Sequence, residues 1–129
     1  CMYVGDGETD ARVLQVVKRS GGLSVAFNGN LPALREAEVG VVSENAIVTS
    51  ILAELFYRGG RDGVLEALED WSLEGLRDNG GVHEYLLREF ARTFPSGMPT
   101  VRRLNKGSLP SIHQESLGVR EVVRGYPDL

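Results

Sequence analysis

The sequence predicts an α/β fold: a partial Rossmann-like parallel sheet with flanking helices, followed by a mainly helical C-terminal extension. Three observations carry this prediction. Short apolar runs at Met2-Tyr3-Val4, Leu23–Phe27 and Val39–Val42 are near-continuous, as expected of strands covered on both faces. The stretches between them carry helix starts and stops, so strands and helices alternate as right-handed crossovers require. Beyond Gly60 the apolar residues recur at helical spacing.

Each element follows in order. Cys1-Met2-Tyr3-Val4 ends at Gly5-Asp6-Gly7, a strand entering a turn. Thr9 can cap the next helix, and Asp10 falls in its first turn, where the macrodipole favours an acid. Val13, Leu14, Val16 and Val17 supply its apolar side. Lys18 and Arg19 suit its C-terminal end, and Gly21-Gly22 stop it. The second strand, Leu23-Ser24-Val25-Ala26-Phe27, halts at Asn28-Gly29-Asn30. Pro32 opens a short helix reaching about residue 38, a position where its missing N–H costs nothing. After the third strand, Val39-Gly40-Val41-Val42, Ser43 and Glu44 introduce a helix over residues 45–57 that Gly59-Gly60 close.

The expected organisation is therefore a core part, residues 1–58, and an extension, residues 59–129. In the extension, Val64, Leu65, Leu68, Trp71, Leu73 and Leu76 make residues 61–77 one amphipathic helix or a pair. Asp78-Asn79-Gly80-Gly81 break the chain. Residues 82–94 are helical again, with Leu86, Leu87, Phe90 and Phe94 on one side. Residues 95–110 read as loop-rich with a small basic group, Arg102, Arg103 and Lys106. Residues 112–124 form a last helix weakened by Gly118.

Composition narrows the function classes. Fourteen Lys and Arg against 18 Asp and Glu give a formal charge of −4, and no basic block occurs, which argues against nucleic acid or an anionic membrane as the main partner. No apolar run approaches the roughly 18 residues of a membrane span, and no signal-peptide pattern is present. The single cysteine, Cys1, excludes an internal disulfide and fits a reducing, cytoplasmic setting. A chain whose first residues already form a strand, and which opens on Cys1, reads as a piece with its beginning missing.

The chemistry concentrates on the turn after the first strand. Ligands of open parallel sheets bind beyond the carboxyl ends of the strands. Gly5-Asp6-Gly7-Glu8-Thr9-Asp10 and Asn28-Gly29-Asn30 both lie at such ends. Asp6 leaves its strand directly and Asp10 follows one helical turn later, so both carboxylates can face one point. Paired hard oxygens there suit Mg²⁺, which is commonly held by one or two carboxylates together with water and substrate phosphate. A turn with an ordinary helix cap needs the same residue types.

Gly5-Asp6-x-x-x-Asp10 at the end of a strand resembles the fourth motif of the haloacid dehalogenase-like hydrolase superfamily. The stretch that follows also matches in order and spacing: a helix, Gly21-Gly22, then Leu23-Ser24-Val25-Ala26-Phe27-Asn28-Gly29-Asn30, then Leu34 and Ala37 before a third strand. It is similar to the phosphoserine phosphatase-like and Cof-like branches over about residues 1–57. The resemblance implies a Mg²⁺-dependent phosphatase or related hydrolase acting on a small phosphorylated substrate. It implies Asp6 as metal ligand, Asp10 as a ligand through water or an orienting residue, and Asn28 at the rim near the phosphate. Thr9 stands where many relatives carry Asn. The Asp-x-Asp nucleophile motif, the Ser/Thr motif and a motif lysine are absent from these 129 residues. The nucleophile is then expected upstream, on a strand beside Met2-Tyr3-Val4, and the chain alone should be inactive. The exposed edge would be completed by that missing segment, by another chain or by a homodimer partner.

A different class of reading is a complete, non-catalytic α/β module that binds a partner or a metal. A helical interaction protein built on residues 61–129 is a third. No other residue stands out: His83 and His113 lack a metal-like spacing, Cys1 lacks a base, and Ser24 and Ser43 lie outside any Gly-x-Ser-x-Gly elbow. Trp71, Phe90 and Phe94 have the spacing of core residues.

Overall fold

The structure, a computed structural model, describes residues 1–124. It is an α/β fold with one four-stranded sheet in the order β1-β2-β3-β4: β1 Met2–Gly5, β2 Leu23–Phe27, β3 Val39–Val42 and β4 Thr100–Arg103. The first three strands are parallel, with Met2 opposite Leu23 and Val25 opposite Val39. β4 runs antiparallel to β3, with Val41 opposite Val101. Helices α1 Glu8–Arg19 and α2 Leu31–Glu36 form the crossovers. Helix α3 is Ile47–Leu68, α4 Leu73–Asp78, α5 Glu84–Thr93 and α6 Leu109–Arg124. No helix among the described residues is long and apolar enough to cross a membrane.

Two expectations are corrected, and one about Gly59-Gly60 holds. The passage 95–110 contains a strand, β4, which was hidden because only Val101 of its four residues is buried and Arg102 and Arg103 face solvent. Four residues are too few for a period of two to stand out. Gly59-Gly60 do close a helix: the run Ile47–Leu68 is two helices that meet at a kink where Gly60 takes φ 66°, ψ −162°. Thr9 is not the cap of α1; Gly7 precedes the helix, and Thr9 lies exposed within its first turn.

The division of the chain also falls elsewhere than between residues 58 and 59. One compact unit joins Cys1–Glu44 to the described residues from Thr100 on; the other is Asn45–Pro99. The reason is that the chain returns to its own sheet. β4 pairs with β3, and Ile112 of α6 packs on the same strand beside Leu104 from the link between β4 and α6. Gly40 permits this approach, since a Cβ there would lie 3.1 Å from both Ile112 Cγ2 and Leu104 Cδ2.

In the first unit Leu14, Ala26, Ala33, Leu34, Ala37 and Val42 form the core with Leu104 and Ile112, and Tyr3, Leu109 and Val119 pack against it. In the second unit Val64, Leu76, Leu87 and Phe90 are buried. Phe90 is fully buried and meets half-buried Trp71 edge-on at 6.1 Å between ring centroids and half-buried Phe94 at 5.1 Å, so these three residues pack as their spacing predicts. Trp71 donates its indole N–H to the Pro99 carbonyl at 2.9 Å.

Candidate functional site

Asp6 stands at the carboxyl end of β1 with its side chain 46% exposed. The turn that presents it is held by Asp10 from the first turn of α1. Asp10 Oδ2 accepts the backbone N–H groups of Asp6 at 3.0 Å and Gly7 at 3.2 Å, while Oδ1 accepts the Tyr3 hydroxyl at 2.7 Å. The carboxylate lies flat on Gly5: a Cβ there would sit 2.5 Å from Asp10 Cγ, a distance no real Cβ adopts. The sequence Gly-Asp-Gly thus folds as it does because a glycine leaves room for the acid that staples its own turn.

This network fixes the charge of Asp10. The Tyr3 hydroxyl first, then the Asp6 and Gly7 amides, hold its carboxyl below the ordinary Asp value, with desolvation opposing them. Reciprocally, the hydrogen bond to Asp10 raises the Tyr3 phenol. A depressed folded-state pKa stabilises the protein above the unfolded Asp value, near 4, and that contribution is lost as pH falls through the folded value. Tyr3→Phe removes the largest cause, so the Asp10 carboxyl should titrate at higher pH and acid unfolding should begin earlier on descent. A carboxyl-carbon NMR titration checks this; an unmoved Asp10 would contradict the assignment.

The ends of the other strands are tied to the same place. Asn28 takes a left-handed conformation, φ 49°, which asparagine tolerates better than most residues. Its side-chain N–H₂ donates to the Ser43 carbonyl at 2.7 Å and its Oδ1 accepts the Ser43 N–H at 2.9 Å. The Asn28 amide therefore clamps the exit of β2 to that of β3. Asn30 N–H donates to the Asp6 carbonyl at 2.9 Å, and Asn30 Oδ1 caps α2 by accepting Ala33 N–H at 3.2 Å.

Arg120 is the component that sequence reasoning missed. It reaches the strand ends from α6 and is almost wholly buried, its side chain 5% exposed. Its Nη1 donates to the carbonyls of Asn28 at 2.7 Å and Asp6 at 3.3 Å, and lies 3.8 Å from Asp6 Oδ2. One turn earlier, buried Ser116 donates its hydroxyl to the Gly29 carbonyl at 2.7 Å. The readable signal was the spacing: Ile112, Ser116 and Arg120 recur every four residues, so two polar side chains share a helical stripe with a buried apolar one.

The structure thus places the Asp10 carboxylate on the backbone N–H groups of Asp6 and Gly7, and Arg120 joins the carbonyls of Asp6 and Asn28. Glu8 is exposed. His83 Nδ1 accepts the Tyr85 N–H at 3.1 Å, a helix-capping role at the start of α5. Among the described residues no group of three or more His, Cys, Asp and Glu is placed to hold a metal ion. Asp6 supplies a hard oxygen at the strand end and Asp10 fixes the loop that carries it. A divalent cation held there would have to draw the rest of its oxygen shell from outside this pair.

Neither a protein-family model nor a curated protein matches the chain in sequence. Among solved structures it is similar to gene product AF1437 from Archaeoglobus fulgidus, with a TM-score of 0.68 at 23% identity over 95% of this chain. The two share an α/β fold. The chain spans 31% of that protein's length.

Proposed function

We propose that the chain is the C-terminal part of the core of a haloacid dehalogenase-like, Mg²⁺-dependent phosphatase or related hydrolase that acts on a small phosphorylated substrate. The observation that carries this reading is Asp6 at the carboxyl end of parallel strand β1, presented by a turn that Asp10 staples onto Gly5. Mg²⁺, when bound, would offset the charge between an attacking carboxylate and the phosphate oxygens. Asp6 would be its ligand from this chain, and Asp10 would orient Asp6 through the backbone it holds. Asn28 would act at the rim by fixing the β2 exit, and Arg120 would neutralise the strand-end carbonyls and keep the Asp6 carboxylate in place.

The attacking carboxylate would come from outside these 129 residues. β1 lies at the sheet edge with β2 as its neighbour, and on α1, which packs behind it, Val13 and Val16 are 40% and 55% exposed. An apolar flank beside an open strand edge is where a completing strand would dock, from the same protein, another chain or a second copy. The non-catalytic alternative is favoured by one observation, the buried Arg120 cation already facing Asp6.

Hydrolysis of p-nitrophenyl phosphate by the full-length protein separates the two readings. The phosphatase reading expects turnover with Mg²⁺, loss on chelation with EDTA and recovery when Mg²⁺ is restored. Absence of turnover across phosphomonoesters, or turnover indifferent to EDTA, would contradict it.

A further inference from the structure

The opposite end of the sheet carries a second feature, independent of the phosphatase reading. Helices α1 and α2 run back from the carboxyl ends of β1 and β2, so their last turns lie at the far end of the sheet from Asp6; antiparallel β4 ends there too. At that end a cavity of about 190 Å³ is rimmed by Lys18 from α1, Arg35 from α2 and Lys106 from the link between β4 and α6. Its apolar lining includes Leu34, Leu104 and Leu109.

The rim cations are exposed, and among the described residues none of the three is in an ion pair. No acid lines the cavity. A base in the last turn of a helix complements the macrodipole, which accounts for Lys18 and Arg35 taken singly. It does not account for a third base, from a loop, joining them around one apolar-floored hollow. Three like charges so gathered repel one another, and a bound anion would relieve that.

We propose that this cavity binds a small amphipathic anion: a phosphonate, phosphate or carboxylate head held by Lys18, Arg35 and Lys106, with an apolar group lying on the leucines. The volume is below the roughly 300 Å³ at which drug-sized pockets begin, so the ligand is of single-ring or branched-chain size and not a nucleotide.

The test uses phenylphosphonate, which a phosphatase cannot hydrolyse, titrated into the isotope-labelled full-length protein and followed residue by residue by NMR. Saturable shifts are expected at the amides of Leu34, Ala37, Leu104 and Leu109, with binding about 10-fold tighter than inorganic phosphate because the ring buries apolar surface. Affinity should fall at least about 10-fold in the Lys18→Gln/Arg35→Gln/Lys106→Gln variant, whose substituted residues are all exposed, and should weaken with added salt. Shifts confined to the Asp6 end, equal affinity in the triple variant, or no saturation at those four amides would overturn the proposal. Inorganic phosphate binding as tightly as phenylphosphonate would overturn its amphipathic part.

Discussion

Asp6→Asn in the full-length protein is expected to lower Mg²⁺-dependent phosphomonoester hydrolysis by about 10²–10³-fold, the scale on which losing one electrostatic contact to a reacting phosphate or oxyanion is felt. The substitution is nearly isosteric, so the turn should survive. The backbone N–H of residue 6 still donates to Asp10 Oδ2, and the backbone carbonyl of residue 6 still accepts from Asn30 and Arg120. What disappears is the negative oxygen that the proposal assigns to the metal. Circular dichroism should be unchanged while the Mg²⁺ concentration for half-maximal rate rises. Activity at the wild-type level in this variant would remove Asp6 from the metal site.

Gly5→Ala should have the largest effect on stability, a loss of about 3–5 kcal/mol in urea unfolding. A Cβ at residue 5 collides with Asp10 Cγ, and overpacking of this kind costs about 1–3 kcal/mol. Swinging the Asp10 carboxyl away gives up hydrogen bonds from the Tyr3 hydroxyl and the Asp6 and Gly7 amides and still leaves Asp10 Cβ 2.6 Å from the new methyl, so the first turn of α1 must shift as well. Hydrogen bonds to a charged group contribute about 1.5–3 kcal/mol, and part of that is recovered where the freed groups reach water. The variant should also lose the low Asp10 titration. An alanine tolerated within about 0.5 kcal/mol, the ordinary range for surface changes, would mean the staple contributes little.

How much of this was legible depends on whether the determining interaction was local. β1, β2 and β3 could be read because buried parallel strands are apolar throughout, and α1 and α2 because Gly21-Gly22 and Pro32 punctuate them. That Asp10 reaches back to the Asp6 turn was legible for the same reason: one helical turn separates them. The detail was not, because spacing alone does not show that Asp10 spends both oxygens on its own turn. β4 was lost to its neighbours' polarity, since Arg102 and Arg103 are exposed and its pairing partner β3 lies nearly sixty residues away in sequence. Arg120 was lost for a related reason. It acts at strand ends more than ninety residues before it, and nothing adjacent to it announces a site. Gly59-Gly60 could be read as the end of a helix because the positive φ of Gly60 breaks helical geometry locally.

The central claim is that the carboxyl end of β1 is a divalent-cation site organised by Asp6. Titrating Mn²⁺, as a paramagnetic stand-in for Mg²⁺, into the labelled full-length protein tests it without requiring turnover. The account predicts that amide signals of residues 5–10 and 28–30 broaden first, that Mg²⁺ competes the broadening away, and that Asp6→Asn abolishes it. Broadening centred elsewhere, for example on the acidic residues of the second unit, or broadening of residues 5–10 that persists undiminished in Asp6→Asn, would contradict it.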